Sequence, residues 1–201
     1  MKSGCKGDSM KKSFYAYLSR MRHIKRWGLM RNNMEENVAE HTFSVALIAH
    51  ALCIIRTTYF DGNVSEKDVL AAALYHEAGE VITGDLPTPI KYFDSSITQS
   101  YKKIERQAED TLVSMLPDEM RPRIAPYVRQ ETSEDVRLLV KAADRLSAYI
   151  KCMEELRTGN REFEKACVRT KEAVEGMRLP EVEYFMEHFL PGYSLTLDEL
   201  N

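Results

Sequence analysis

Val69-Leu70-Ala71-Ala72-Ala73-Leu74-Tyr75-His76-Glu77-Ala78-Gly79-Glu80 holds the densest information in this chain. Its first six residues are apolar and mostly strong helix formers, which predicts a buried helix. If that helix continues through the pentad, His76 and Glu80 lie one turn apart on a shared face, with Glu77 beside them. An imidazole and two carboxylates then converge, a set suited to a divalent cation and a water-activating base. A solvated polar helix end with Glu80 in water satisfies the same letters. The zinc-protease pattern H-E-x-x-H is not met, because its fifth position here is Glu80.

The segments around this stretch also carry apolar residues at helical spacing, and strand signals are weak throughout. Helices are predicted from about Lys12 to Leu29, with Phe14, Tyr17, Leu18, Met21 and Ile24 inward, and from Ala39 to Thr58. A third begins after Ser65, with Asp68 as a capping partner, and ends near Thr83-Gly84. Asp85-Leu86-Pro87-Thr88-Pro89 is predicted to be non-helical because of its two prolines. A helix follows Asp94, striped by Ile97, Tyr101, Ile104, Ala108, Leu112 and Met115. A short one is expected within Pro117 to Pro126, then long ones over Ser133–Arg157 and Arg161–Met177. A last helix opens on Pro180 and ends near Pro191, leaving an irregular tail over Gly192 to Asn201. Neither repeats nor a low-complexity linker divide the chain. The expectation is an all-α bundle, one domain over residues 12–201 after a flexible tail at 1–11, with Met1 or Met10 as the start.

Composition supports a folded protein: 201 residues, 44% hydrophobic and 29% charged. With 28 basic against 31 acidic residues and a net charge of −3, there is no global basic field for a nucleic-acid polymer. A small anion needs only a few local cations. Cys5, Cys53, Cys152 and Cys167 lack C-x-x-C spacing, which fits reduced thiols in the cytoplasm. The longest apolar run, Ser44 to Ile55, is short for a bilayer and reads as a helix buried on most sides. The N-terminus has no apolar signal segment, and no membrane partner is expected.

The remaining chemistry-bearing residues are ambiguous one by one. His41, next to Glu40 near a helix start, reads alone as a capping or core residue. His50, nine residues on, falls on the opposite face, at about 100° per residue, and is expected to be a core histidine held by hydrogen bonds. His23 and His188 default to surface or structural roles. Asp144 points away from the Leu139-Ala142-Ala143-Leu146-Ile150-Met153 stripe, as a solvated aspartate paired with Arg145 or Lys141 would. Arg26-Trp27 fits either a surface arginine beside a core tryptophan, or a guanidinium for phosphate beside a ring for a sugar.

Taken together, the order His41, His76-Glu77, Glu80, Asp144 resembles the H…HD…D pattern of HD-domain phosphohydrolases. Longer stretches are similar to bacterial HD-domain 5′-deoxynucleotidases: Ser19-Arg20 through Arg26-Trp27, Glu36-Asn37-Val38-Ala39-Glu40-His41, Gly84-Asp85-Leu86-Pro87-Thr88-Pro89-Ile90-Lys91-Tyr92-Phe93, and Lys151-Cys152-Met153-Glu154-Glu155-Leu156. The resemblance covers about residues 10 to 200. It implies the helical HD fold, a homodimer, one divalent metal (cobalt, manganese, magnesium or zinc), and hydrolysis of deoxyribonucleoside 5′-monophosphates to nucleoside and phosphate. Carried onto this chain, it implies His41, His76, Glu77 and Asp144 as metal ligands and Glu80 as the catalytic carboxylate. Arg26 would hold phosphate and Trp27 would lie by the sugar. Asp85 would accept the 3′-hydroxyl, with Leu86, Pro87 and Thr88 completing the loop. Of the ligands, His41, Glu77 and Asp144 would also border the substrate. The family has aspartate where this chain has Glu77; glutamate keeps the oxygen but carries it one methylene further. Two other readings are a nucleotide-binding protein silenced by Glu77 and an HD hydrolase for another nucleotide.

Overall fold

Ser133 accepts the backbone N–H of Val136, and Asp94 accepts that of Ile97 at 2.8 Å, so the two polar residues before long apolar-periodic runs act as helix caps. The computed structural model describes residues 13–91 and 93–200, and only the backbone of Thr88. The expected tail at 1–11, with Cys5 and Met10, lies outside the described residues, as do Tyr92 and Asn201. The helices are α1 (Phe14–Leu18), α2 (Val38–Tyr59), α3 (Glu66–Tyr75), α4 (Glu80–Thr83), α5 (Thr88–Lys91), α6 (Ser95–Ser114), α7 (Arg121–Val128), α8 (Glu134–Arg157), α9 (Glu164–Glu175) and α10 (Pro180–His188). Turns of 3₁₀ helix cover Ser19–His23, Arg161–Phe163, Leu190–Ser194 and Leu197–Leu200. Among the described residues there is no strand, only an isolated antiparallel bridge between Lys25 and Asn37.

The chain divides into two compact units interleaved along the sequence. The first comprises residues up to Leu29, Glu36–Thr42 and Tyr75–Thr132. Its core gathers Phe14, Met21, Val38, Ala78, Leu112, Val113, Met115, Leu116, Ala125 and Val128. The second comprises Met30–Glu35, Phe43–Leu74 and Ser133–Asn201. In it the inner stripe of α8 (Leu139, Ala142, Ala143, Leu146, Ile150) is buried, and α2 buries Val45, Ala49 and Leu52.

Several expectations are corrected. The first helix ends at Leu18, continues as a 3₁₀ turn to His23, and gives way to extended chain at Ile24. The cause is pairing: Val38 donates its N–H to the Ile24 carbonyl, and Arg26 donates to that of Glu36, both at 3.0 Å. The third helix stops at Tyr75, so the pentad is not helical until Glu80. Thr88–Lys91 is helical despite its proline, because Pro89 sits in a first turn where its missing N–H costs nothing. The tail from Gly192 includes two 3₁₀ turns. On α6, Ile97 and Ile104 are exposed rather than inward. Tyr17 is likewise exposed. By length and composition α2 passes as a membrane span, so shortness does not argue against one; 56% of that window is buried inside the protein.

The Lys151–Cys152…Glu155 stretch has a structural task in the second unit. Glu155, fully buried, pairs with Lys151 at 2.5 Å and accepts the backbone N–H groups of Asn33 and Met34 at 2.9 and 3.0 Å. Lys151 also donates to the Met34 carbonyl, and Asn160 bridges Glu155 and the Arg31 carbonyl. The loop 30–35 is thereby pinned by one buried charge network. Burial alone would raise the Glu155 carboxyl. Hydrogen bonds from Lys151, Asn160 and the two backbone N–H groups outweigh it and hold the pKa down to about 2. An unfolded glutamate titrates near ~4.3. The depressed folded value therefore contributes stability that is fully present above that pH and is lost as pH falls toward about 2. Glu155→Ala strands the buried Lys151 ammonium and should cost about 3–5 kcal/mol. Urea unfolding at pH 7 and at pH 3 checks both statements: the deficit should be large at pH 7 and smaller at pH 3. An equal deficit at both would mean that packing, not charge, is what Glu155 supplies.

Candidate metal centre and substrate site

The first unit brings together residues from four separate stretches of chain. His41 is placed by the start of α2. Asn37 accepts the N–H groups of Ala39 and Glu40 at 3.0 Å, and Glu40 reaches back to the Asn37 N–H at 3.0 Å. This reciprocal capping box fixes the first turn. The letters Asn37-x-x-Glu40 announced it, and the sequence reading passed over them. One turn in, His41 is fully buried. His76 and Glu77 come from the tight turn after α3, where Ala78 donates to the Tyr75 carbonyl and Glu80 to that of Glu77. Ala78 is buried in the first unit's core and anchors that turn.

The Nε2 atoms of His41 and His76 are 3.4 Å apart. Glu77 Oε1 lies 3.7 Å from His76 Nε2. One donor atom from each of His41, His76 and Glu77 falls within 4.8 Å of the others. Two imidazole Nε2 atoms and a carboxylate oxygen facing one point form a donor set that suits a borderline divalent cation. Arg26 Nη1 stands 3.9 Å from Glu77 Oε1. Its Nε–H donates to Glu36 Oε2 at 3.1 Å, and the Trp27 indole N–H donates to the same oxygen at 3.1 Å.

Glu80 opens α4 with Oε2 buried and without a hydrogen-bond partner. Burial, then the carboxylates of Glu77 and Asp85, push its carboxyl up to about 9, while Arg26 acts in the opposite direction. Asp85 follows Gly84, whose φ of 73° turns the chain out of α4. Leu86 and Pro87 are half-buried in the same loop. The Thr88 side chain lies outside the described residues. Lys91, at the end of α5, pairs with Glu105 at 2.7 Å and lies 5.1 Å from the centre of the Tyr101 ring, tying this loop to α6.

Asp144 is half-buried on α8, in the second unit. Its neighbour Arg145 donates to the Ala173 carbonyl at 2.8 Å. His50 is not a core residue. Its side chain is 42% exposed and faces Glu66 at 3.6 Å, because that face of α2 turns outward. His23 and His188 are exposed, as expected. Glu36 is the residue the sequence reading missed.

The helical order and this donor set define an HD-type phosphohydrolase. Solved structures of that fold are similar: an HD-domain phosphohydrolase from Listeria innocua has a TM-score of 0.78 at 20% identity, covering 90% of this chain and 88% of that one. The cyanophage S-2L HD phosphohydrolase DatZ, bound to dA and one catalytic zinc ion, has a TM-score of 0.66 at 19% identity, covering 88% of this chain and 96% of that one. Family comparison is more specific. The 5′-deoxynucleotidase YfbR-like family matches residues 13–193, and the chain belongs to it. The 5′-deoxynucleotidase YfbR of Escherichia coli (strain K12 / DH10B) is 50% identical over 194 residues, 96% of this chain and 98% of the relative. A 5′-deoxynucleotidase of Enterobacter sp. (strain 638) is 50% identical over 189 residues, 94% of this chain and 95% of the relative.

A preformed donor set binds the folded state and not the unfolded one, so a fitting cation should raise the melting temperature. At a free cation concentration of 100 times its Kd the gain is about 2.7 kcal/mol. Thermal melts with manganese, cobalt or zinc against a chelator should show it, and His76→Ala should remove it. An equal gain in His76→Ala would place the cation elsewhere.

Proposed function

We propose that this chain hydrolyses deoxyribonucleoside 5′-monophosphates to deoxynucleoside and phosphate with the help of one divalent cation. The observation that carries the reading is the convergence of His41, His76 and Glu77 beside Arg26 and the buried carboxyl of Glu80. The names of the family and of its 50%-identical relatives support the substrate class. Asp144, the half-buried carboxylate in the fourth position of the family pattern, is proposed to complete the ligand set. A cation held there supplies positive charge that acidifies water and draws electron density from a phosphoryl group.

The protein's own groups do the rest. Arg26 presents its guanidinium to the phosphoryl oxygens and stabilises the charge that grows on them. Burial and the carboxylates of Glu77 and Asp85 favour the protonated form of Glu80; nearby positive charge favours the ionised form, and in that form Glu80 takes the proton of the attacking water. Trp27 lies along the sugar. Asp85 accepts the 3′-hydroxyl, and Leu86, Pro87 and Thr88 line the loop beside it. Cys53 and Cys167, which form no disulfide, favour a cytoplasmic setting.

We further infer a homodimer. Phe43, Leu47 and Ile54 recur at helical spacing along α2 and are 65%, 56% and 37% exposed. An apolar stripe of this kind is the usual mark of a protein interface, and a second copy offers the matching stripe about a two-fold axis.

Two measurements test these readings. Phosphate release from a panel of deoxy- and ribonucleoside monophosphates should be cation-dependent and favour the deoxy series. Glu80→Ala should lower kcat by on the order of 10²–10³ while keeping cation-induced stabilisation. Substantial turnover in that variant would exclude Glu80 as the proton carrier. Analytical ultracentrifugation should give a dimer for the native chain and a monomer for Leu47→Glu; a dimer in both would move the interface off α2.

A further inference from the structure

Glu36 has no role in the reaction as set out above, yet both substrate-facing groups at the first turn of the site hang on it. Its Oε2 accepts the Nε–H of Arg26 and the Nε1–H of Trp27, each at 3.1 Å. Its carbonyl accepts the backbone N–H of Arg26 at 3.0 Å. The Lys25–Asn37 bridge flanks this contact on one side. The same Asn37 begins the capping box that places His41.

We propose that Glu36 is a positioning residue that fixes the Arg26 guanidinium and the Trp27 indole in one geometry, and so sets sugar discrimination and phosphate orientation together. The proposal rests on the functional reading above. Three observations support it. The Glu36 side chain is only 15% exposed, so its hydrogen bonds are weakly screened by water. Trp27 adopts φ 58°, a left-handed conformation that a bulky side chain takes at a cost and that structure must hold in place. In extended chain, consecutive side chains point to opposite faces. The left-handed turn at Trp27 breaks that alternation and lets neighbouring residues reach one oxygen. With Nε committed to Glu36, the terminal nitrogens of Arg26 are directed toward Glu77, where Nη1 lies 3.9 Å from Oε1.

The sole tryptophan gives a direct readout. In Glu36→Ala both charge-assisted bonds are lost, and kcat/KM for a deoxyribonucleoside monophosphate should fall about 10–100-fold. The ratio of deoxy to ribo activity should shrink, and the Trp27 emission should shift, with cation-induced stabilisation retained. Glu36→Gln keeps an acceptor oxygen and should recover much of the loss. In a Trp27→Phe background, which has no indole N–H, Glu36→Ala should leave the deoxy-to-ribo ratio where Trp27→Phe alone puts it. If Glu36→Ala fails to fold, Glu36→Gln and the Trp27→Phe/Glu36→Gln pair carry the same comparison. Native emission and kinetics in Glu36→Ala, or additive losses in the double variant, would overturn the proposal. Arg26→Ala separates the two levels: full turnover there refutes the functional reading itself, whereas an inactive Arg26→Ala with a native-like Glu36→Ala refutes the anchor alone.

Discussion

Two imidazole nitrogens held 3.4 Å apart, on residues separated by 35 positions of chain, are the constraint to which the first unit answers. His41 is fully buried, and two ring nitrogens aimed at one point suit a proton or a metal ion between them. Holding them there requires that neither ring can drift. The capping box at Asn37 and Glu40 fixes one, and the turn anchored by buried Ala78 fixes the other.

The same neighbourhood concentrates negative charge. Glu77 and Asp85 both act on Glu80, and Arg26 is the cation that offsets them there. Raising a carboxyl to about 9 is the cost of gathering acids in a poorly solvated place. Added positive charge relieves that cost, so the cluster favours a cation and the Arg26 guanidinium by the same electrostatics. Part of the Arg26 charge is turned toward Glu36 instead, at 3.1 Å, which orients the guanidinium while weakening its pull on Glu77 and Glu80. Orientation and charge compete at this arginine.

The regular part of this fold was readable because periodicity and caps agree along α2, α6 and α8. Asp94 and Ser133 cap where their positions suggest. The readings that failed depended on contacts made at a distance. Nothing local tells Ile24 to leave the helix; it does so because Val38 and Glu36 return to pair with that stretch. His50 was placed by angle alone and assigned to the core, but the apolar α2 is not buried all round. Resemblance grouped the candidate site residues, and the structure brings the donor atoms of His41, His76 and Glu77 together; spacing alone left His41 and Asp144 undecided. Glu36 stayed hidden because its partners Arg26 and Trp27 meet it only once the chain doubles back.

The most instructive failure is the pentad, which was read on the wrong backbone. On an unbroken helix, His76 and Glu80 would share a face and Glu77 would point about 100° away from His76. The turn after Tyr75 undoes that geometry and leaves Glu77 Oε1 3.7 Å from His76 Nε2. It also restarts the helix at Glu80, with that carboxylate buried among acids rather than beside His76 in solvent. The break bears directly on Glu77, which stands where the H…HD…D pattern has aspartate. A turn of i→i+3 hydrogen bonds has backbone freedom that a rigid helix lacks, and it is on this turn that the longer glutamate side chain meets His76.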